Sequence, residues 1–247
     1  MKDIRSLSKE ELISECESLG EKKFRANQLW EWLWQKGVTS FDEMSNLSKA
    51  FREKLAEAYE IKAMTIANTQ QSKDGTIKYA FRLNDGFLVE GVLIPSKDRV
   101  TACISSQVGC SLSCTFCATG FLKRERNLRA DEIFDQVNLL RKEAERAYNL
   151  NLSNIVLMGI GEPLLNYANV MAGINKITSP DGFGMSPQRI TLSTAGIAKM
   201  IKKLGDDGAR FNLALSLHSA NNENRSKIMP ITESKSLEDL IEAINYE

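Results

Sequence analysis

From about residue 98 the chain alternates short apolar runs with longer amphipathic ones, and each apolar run stops at small or polar residues. That alternation of strand and helix periods is the pattern of a parallel α/β sheet. Strand one is read at Val100 to Ser105, with a helix from about Arg129 to Tyr148 after it. Strand two spans Asn154 to Met158 and its helix lies near Tyr167 to Ile177. Strand three covers Arg189 to Leu192 with a helix to Leu204, and strand four covers Phe211 to Leu215 with short helices beyond. In parallel β/α barrels the reactive residues gather at the C-terminal ends of the strands. All four ends here carry such residues: a cysteine loop, then Gly161-Glu162-Pro163, then Ser193, then Ser216 and His218. A plain structural domain is not expected to set them on one rim.

The cysteine loop reads Gly109-Cys110-Ser-Leu-Ser-Cys114-Thr-Phe-Cys117. It supplies three thiolates, one fewer than a closed metal site needs, and a [4Fe–4S] cluster held this way keeps one iron free for another ligand. Thiolates also suit zinc, with Cys103 or His218 as a fourth ligand, and ordinary packing thiols are the third reading. Zinc modules pair C-x2-C with a second, distant pair, which this sequence lacks. The glycines of Met158-Gly159-Ile160-Gly161-Glu162 allow close backbone approach to a ligand, but no Gly-Lys-Ser/Thr follows to make a phosphate loop. Glu162 can accept from an amino group, and Ser193 and Ser216 offer hydroxyls.

Upstream the period differs. Residues 1–61 read as a small helical domain: Ser8 and Glu11 form a capping box, a second helix runs from Arg25 to Gln35 and stops at Gly37, and a third covers Lys49 to Tyr59. Trp30 and Trp34, four apart beside Leu29 and Leu33, read as a core stripe, and Cys16 as a packing residue. Residues 62–97 change to period two, with Asp74-Gly75 and Asp85-Gly86 as hairpin turns between Ile66–Gln71, Thr76–Leu83 and Gly86–Ile94. Residues 98–247 are then the α/β core. Formal net charge is zero and no apolar run approaches a membrane span, so neither a strongly basic footprint nor a membrane is indicated. Short basic runs at Lys22–Arg25 and Lys123–Arg126 read as solvated faces. Five cysteines, three of them in one ligand-spaced loop, and an N-terminus without a signal-peptide core point to a reducing, cytoplasmic setting.

Four separated stretches carry a resemblance: Cys103-Ile-Ser-Ser-Gln-Val-Gly-Cys110, Met158-Gly-Ile-Gly-Glu-Pro-Leu-Leu-Asn166, Arg189-Ile-Thr-Leu-Ser-Thr194 and Leu213-Ala-Leu-Ser-Leu-His-Ser219. With Lys23-Phe24-Arg25-Ala26-Asn27-Gln28-Leu29 near the N-terminus, they resemble the RlmN family of radical S-adenosylmethionine (SAM) methyltransferases. The resemblance implies a partial radical SAM (β/α) barrel of α/β class, preceded by the helical domain and the β-meander. It implies a [4Fe–4S] cluster on Cys110, Cys114 and Cys117, and SAM bound by Gly161, Glu162, Ser193, Ser216, Leu217 and His218. It implies methylation of carbon 2 of an adenine in 23S rRNA and tRNA, with an electron donor of the flavodoxin type as partner and a monomeric enzyme. Carbon 2 is not nucleophilic, so a radical route replaces polar transfer, the cofactor carrying the hard chemistry.

The family's proton acceptor falls on Glu90, which shares a strand face with Leu88 and Val92; a carboxylate between apolar neighbours is expected to be held up in pKa, as suits a base. Cys103 takes the place of the cysteine that resolves the enzyme–RNA intermediate by forming a disulfide with a second, C-terminal cysteine. No cysteine follows Cys117, so that methyl-carrying partner has no counterpart here, and about four β/α units are visible where the fold has about six. The expectation is a C-terminally truncated form with an open strand-four edge, able to hold a cluster but not to methylate RNA. Alternatives are the sister activity at carbon 8 of adenine and a non-catalytic, zinc-stabilised RNA-binding protein. A protein-radical activase fits the placements of Cys103 and Glu90 poorly.

Overall fold

The structure is a computed structural model that describes residues 1–234 and 236–246. It divides into two units, one of Met1–Met64 with Ile174–Met185, the other of Thr65–Gly173 with Ser186–Glu247.

In the first unit a two-residue strand, β1 (Lys2–Asp3), pairs in parallel with β2 (Tyr59–Glu60). Helix α1 (Lys9–Ser18) begins at the expected capping box: Glu11 N donates to Ser8 Oγ at 3.1 Å, and Ser8 N donates to the Glu11 carboxylate at 2.6 Å. Helix α2 (Phe24–Glu31) runs on through a π-helical turn, Trp32–Lys36, and stops at Gly37 in the left-handed region at φ 60°. Helix α3 (Lys49–Ala58) completes the set. Leu12, Cys16, Leu29, Leu33, Trp34, Phe51 and Leu55 are all buried, each large side chain contributing about 1.5–3 kcal/mol on leaving water. Burial pushes the Cys16 thiol up to about 11, so it is an inert packing group. The tryptophan stripe faces inward, and Lys176 Nζ caps it, 3.6 Å from the Trp30 ring centre and 4.5 Å from that of Trp34. Burial, with the Lys9 charge adding to it, lowers that lysine to about 8.

The second unit is built on one seven-stranded sheet. Three antiparallel connections join β3 (Thr65–Gln71), β4 (Ile77–Arg82), β5 (Leu88–Ser96) and β6 (Arg99–Cys103). Gly75 at φ 88° and Gly86 at φ 89° make the two turns, and Asp74 and Asp85 each accept from the backbone N–H two residues on. After β6 come β7 (Gln107–Val108), β8 (Arg126–Asn127), helix α4 (Ala130–Tyr148) and β9 (Leu152–Leu157). Then follow α5 (Tyr167–Thr178), β10 (Ile190–Thr194), α6 (Ala198–Asp206), β11 (Asn212–Leu215), α7 (Asn222–Ile228) and α8 (Leu237–Ile244). The order across the sheet is β11-β10-β9-β6-β5-β4-β3, parallel from β6 to β11 and antiparallel from β6 to β3. It is an open mixed sheet rather than a closed barrel, and the meander extends the same sheet that holds the four parallel strands.

One face of this sheet is the core. Val89, Leu93, Val100, Ala102 and Ile155 point into it, against Ile133, Phe134, Val137 and Leu140 of α4, all fully buried. Alternate residues, among them Glu90, Val92, Thr101, Cys103 and Ser193, take the other face.

Candidate functional site

Strand β6 was expected to reach Ser105, but its ladder ends at Cys103. The reason is a side chain: Gln136 on α4 accepts from Ser105 N at 2.8 Å and donates to Ser105 O at 3.0 Å, doing for Ser105 what a neighbouring strand would. Ser105 Oγ donates to Glu90 O at 2.6 Å and accepts from Ile160 N at 2.9 Å. Gln107 accepts from Glu162 N at 2.9 Å and donates to Asn127 at 2.7 Å; Asn166 donates to Ser106 O and Leu128 O. These buried amides and hydroxyls lock the end of β6 to the Gly159–Glu162 turn. At Gly161, φ 102°, a Cβ would lie 2.5 Å from that of Gln107, so the turn and the Gln107 backbone meet closer than a side chain permits.

Between β7 and β8, which pair antiparallel, the chain makes the cysteine loop. Arg126 closes its neck, gripping the buried Glu132 carboxylate with two 2.8 Å bonds and Asp85 with a third at 2.6 Å. The basic run 123–126 is thus not simply a solvated face, since its last member is a structural clamp. Inside the loop Cys117 N donates to Cys114 O, Gly120 N to Cys117 O, and Thr115 N to Ile228 O. A Cβ at Gly120 would run into the Cys114 carbonyl.

Cys110, Cys114 and Cys117 line one cavity of about 290 Å³ together with Gly161, Glu162, Ser193, Ser216 and His218. The rim read from the strand ends is therefore a single concave site. Burial raises the thiols of Cys110 and Cys114. Ser193 Oγ and Ser216 Oγ stand 3.2 Å apart, and the His218 ring lies 4.0 Å from that of Phe116, its backbone in the left-handed region at φ 56°. The Glu162 carboxylate accepts from Thr194 Oγ1 at 2.7 Å, Ala195 N at 2.7 Å and Leu164 N at 3.0 Å. A carboxylate has about four acceptor positions, so one is left toward the cavity.

Three expected residues are not among the lining groups. Leu217 is half-exposed at the end of β11, and its carbonyl accepts from Arg225 Nε at 3.1 Å. Cys103 is one residue back, its thiol raised by burial and hydrogen-bonded by the backbone of Met158, which does line the cavity. Glu90 shares the open sheet face with Cys103, whose register partner is Val92. It is not enclosed by apolar groups: Leu88 beside it is 48% exposed, and Lys78 Nζ on β4 pairs with the carboxylate at 3.0 Å. All five cysteines are free thiols.

The sequence reading missed Gln107, Gln136, Asn166 and Arg225, all buried and all serving this site. A signal existed for the first, in the polar run Ser105-Ser106-Gln107 placed directly after a strand. Asn166 closes one of the four stretches that carry the resemblance, whereas Gln136 and Arg225 have no local mark.

The donor set fits a cluster. Among the described residues no three His, Cys, Asp or Glu side chains gather around one point to hold a single metal ion. A cuboidal cluster asks for something else, since each cysteine takes a different iron: three thiols spaced around a hollow, as here. The polar half of the cavity, with two hydroxyls and a carboxylate, suits an amino acid moiety.

Residues 2–61 match the family described as ribosomal RNA large subunit methyltransferase N-terminal domain, and residues 104–246 match the radical SAM superfamily. A protein of Cytophaga hutchinsonii named "Probable dual-specificity RNA methyltransferase RlmN" is 58% identical over 98% of this chain and 67% of its own length. One of the same name from Christiangramia forsetii is 56% identical over 99% of this chain and 70% of its own length. The crystal structure of a radical SAM methyltransferase from Sphaerobacter thermophilus superposes with a TM-score of 0.90 at 35% identity, covering 98% of this chain and 71% of that one.

Proposed function

The chain belongs to the RlmN family of radical SAM RNA methyltransferases, and from that premise we propose that its site serves methylation of carbon 2 of an adenine in 23S rRNA and in tRNA. The observation that carries the reading is one cavity lined by three cysteine thiols and by the polar ends of three parallel strands. A [4Fe–4S] cluster and SAM, when bound, supply the one-electron chemistry that a non-nucleophilic carbon requires.

The chain's own residues have separable parts in this proposal. Cys110, Cys114 and Cys117 would hold the cluster, binding it as thiolates. The remaining acceptor position of Glu162 takes the SAM amino group, the paired hydroxyls of Ser193 and Ser216 take its other polar atoms, and Gly161 lines the same cavity. His218 flanks the same ligand, and Leu217, the residue before it, lies outside the cavity lining. Glu90, whose carboxylate pairs with Lys78 Nζ at 3.0 Å, accepts a proton from the base, and Cys103 works as a thiol behind the cavity wall. An adenine must leave its stack to reach such a site. The reducing electron comes from a small one-electron donor of the flavodoxin type.

Anaerobic reconstitution with iron and sulfide tests the reading. The expected result is a brown protein that, once reduced, cleaves SAM to 5′-deoxyadenosine and methionine. A colourless protein with stoichiometric zinc overturns it. RNA digested after the reaction separates the two regiochemistries: 2-methyladenosine supports the reading, and 8-methyladenosine makes the carbon 8 activity the correct one.

A further inference from the structure

Arg225 is fully buried, and among the described residues no carboxylate pairs with it. Its guanidinium is spent on neutral oxygens: Nη2 donates to Ala195 O at 2.6 Å and Ser216 O at 3.4 Å, Nε to Leu217 O at 3.1 Å, and Nη1 to Thr232 Oγ1 at 2.7 Å. The fork thus ties the segment after β10 to the segment after β11, the two strand ends whose serines face the cavity. It also lies behind the cysteine loop. Cys114, Ala195 and Met229 form one buried cluster; Ala195 accepts from the guanidinium, and Met229 N donates to Arg225 O at 2.7 Å. The carbonyl that takes the guanidinium thus belongs to a residue clustered with Cys114.

A buried cation without an anionic partner is costly, and carbonyl dipoles offset that cost only in part. The partner it lacks is what the loop is built to hold. A four-iron cluster on three thiolates is anionic, and reduction adds one more negative charge.

We propose that Arg225 is a positioning residue for the cluster: it fixes the β10 and β11 ends under the ligand cavity and keeps an unneutralised positive charge behind Cys114 that favours the reduced cluster. This rests on the radical SAM reading of the site. Electron uptake needs only a one-electron reductant, which the test supplies as dithionite.

The experiment compares wild type with Arg225→Met and Arg225→Lys, each reconstituted anaerobically with iron and sulfide and checked for full iron content. Redox titration followed by electron paramagnetic resonance reads the midpoint potential; calorimetry reads SAM affinity. For Arg225→Met the ratio of reduced to oxidised cluster at fixed potential is expected to fall at least tenfold, about 59 mV for one electron. Arg225→Lys keeps the charge and loses the fork, so its potential should stay within threefold while SAM affinity falls at least fivefold. An iron-replete Arg225→Met with the wild-type potential overturns the proposal. So does an Arg225→Lys that loses tenfold in potential, a comparison that decides the matter by itself should Arg225→Met not fold. A wild-type chain that takes up no iron and sulfide removes the underlying reading, and this proposal with it.

Discussion

Glu162 shows how one residue can be both brace and ligand. Its carboxylate accepts three hydrogen bonds that favour ionisation, yet burial outweighs them and raises its pKa above the ordinary carboxylate range. The native state therefore holds this proton more tightly than the unfolded chain does. The stabilisation is complete below the unfolded pKa, about 4.3, and is lost as pH rises through the higher native value. Thermal melts at stepped pH should show melting temperature falling across that window, and Glu162→Gln should flatten the fall. The amide turns an N–H toward Ala195 N, so the variant should also lose about 1–3 kcal/mol. Glu90 contrasts with it. Adjacent apolar letters suggested enclosure, but the pleat sets Leu88 and Glu90 together on an exposed face, and Lys78 reaches across from the next strand. Neighbours along a strand do not decide burial; the layer against that face does.

Among the elements, α4 contributes most to the site without lining it. Its apolar face was legible from periodicity, and the helix runs from Ala130 to Tyr148, as expected to within a residue. What periodicity cannot convey is that Gln136 substitutes for a missing strand at Ser105, or that Glu132 receives the Arg126 clamp. Gln136→Leu keeps the volume but strands the Ser105 N–H and C=O in a dry site. Urea unfolding should find the variant less stable by about 2–4 kcal/mol. The cluster loop, hung from the same segment, should take up iron less completely. Substitutions at exposed α4 positions should do neither. The Asp-Gly turns lie at the other extreme: their geometry is dictated by the residues themselves, and all three meander strands fell within two residues of expectation.

For the molecule as a whole, the cavity couples stability to its contents. Burial disfavours the thiolates of Cys110 and Cys114, and a bound cluster would relieve that conflict. Reconstitution should raise the melting temperature by roughly several degrees, and bleaching the cluster with an oxidant and chelator should reverse the gain in parallel with loss of colour. No helix among the described residues is long and apolar enough to cross a membrane. The order of strands and helices, their approximate limits and the gathering of reactive residues at strand ends could all be read from the sequence, because each depends on periods and turn residues only a few positions apart. The four stretches that marked the family are of the same local kind. The polar brace and the buried cation could not be read. Gln136 meets Ser105 across 31 residues, Asn166 meets Leu128 across 38, and Arg225 meets Ala195 across 30. Hydrogen bonds at such separations leave no periodic trace, and only the packed sheet brings their partners within reach.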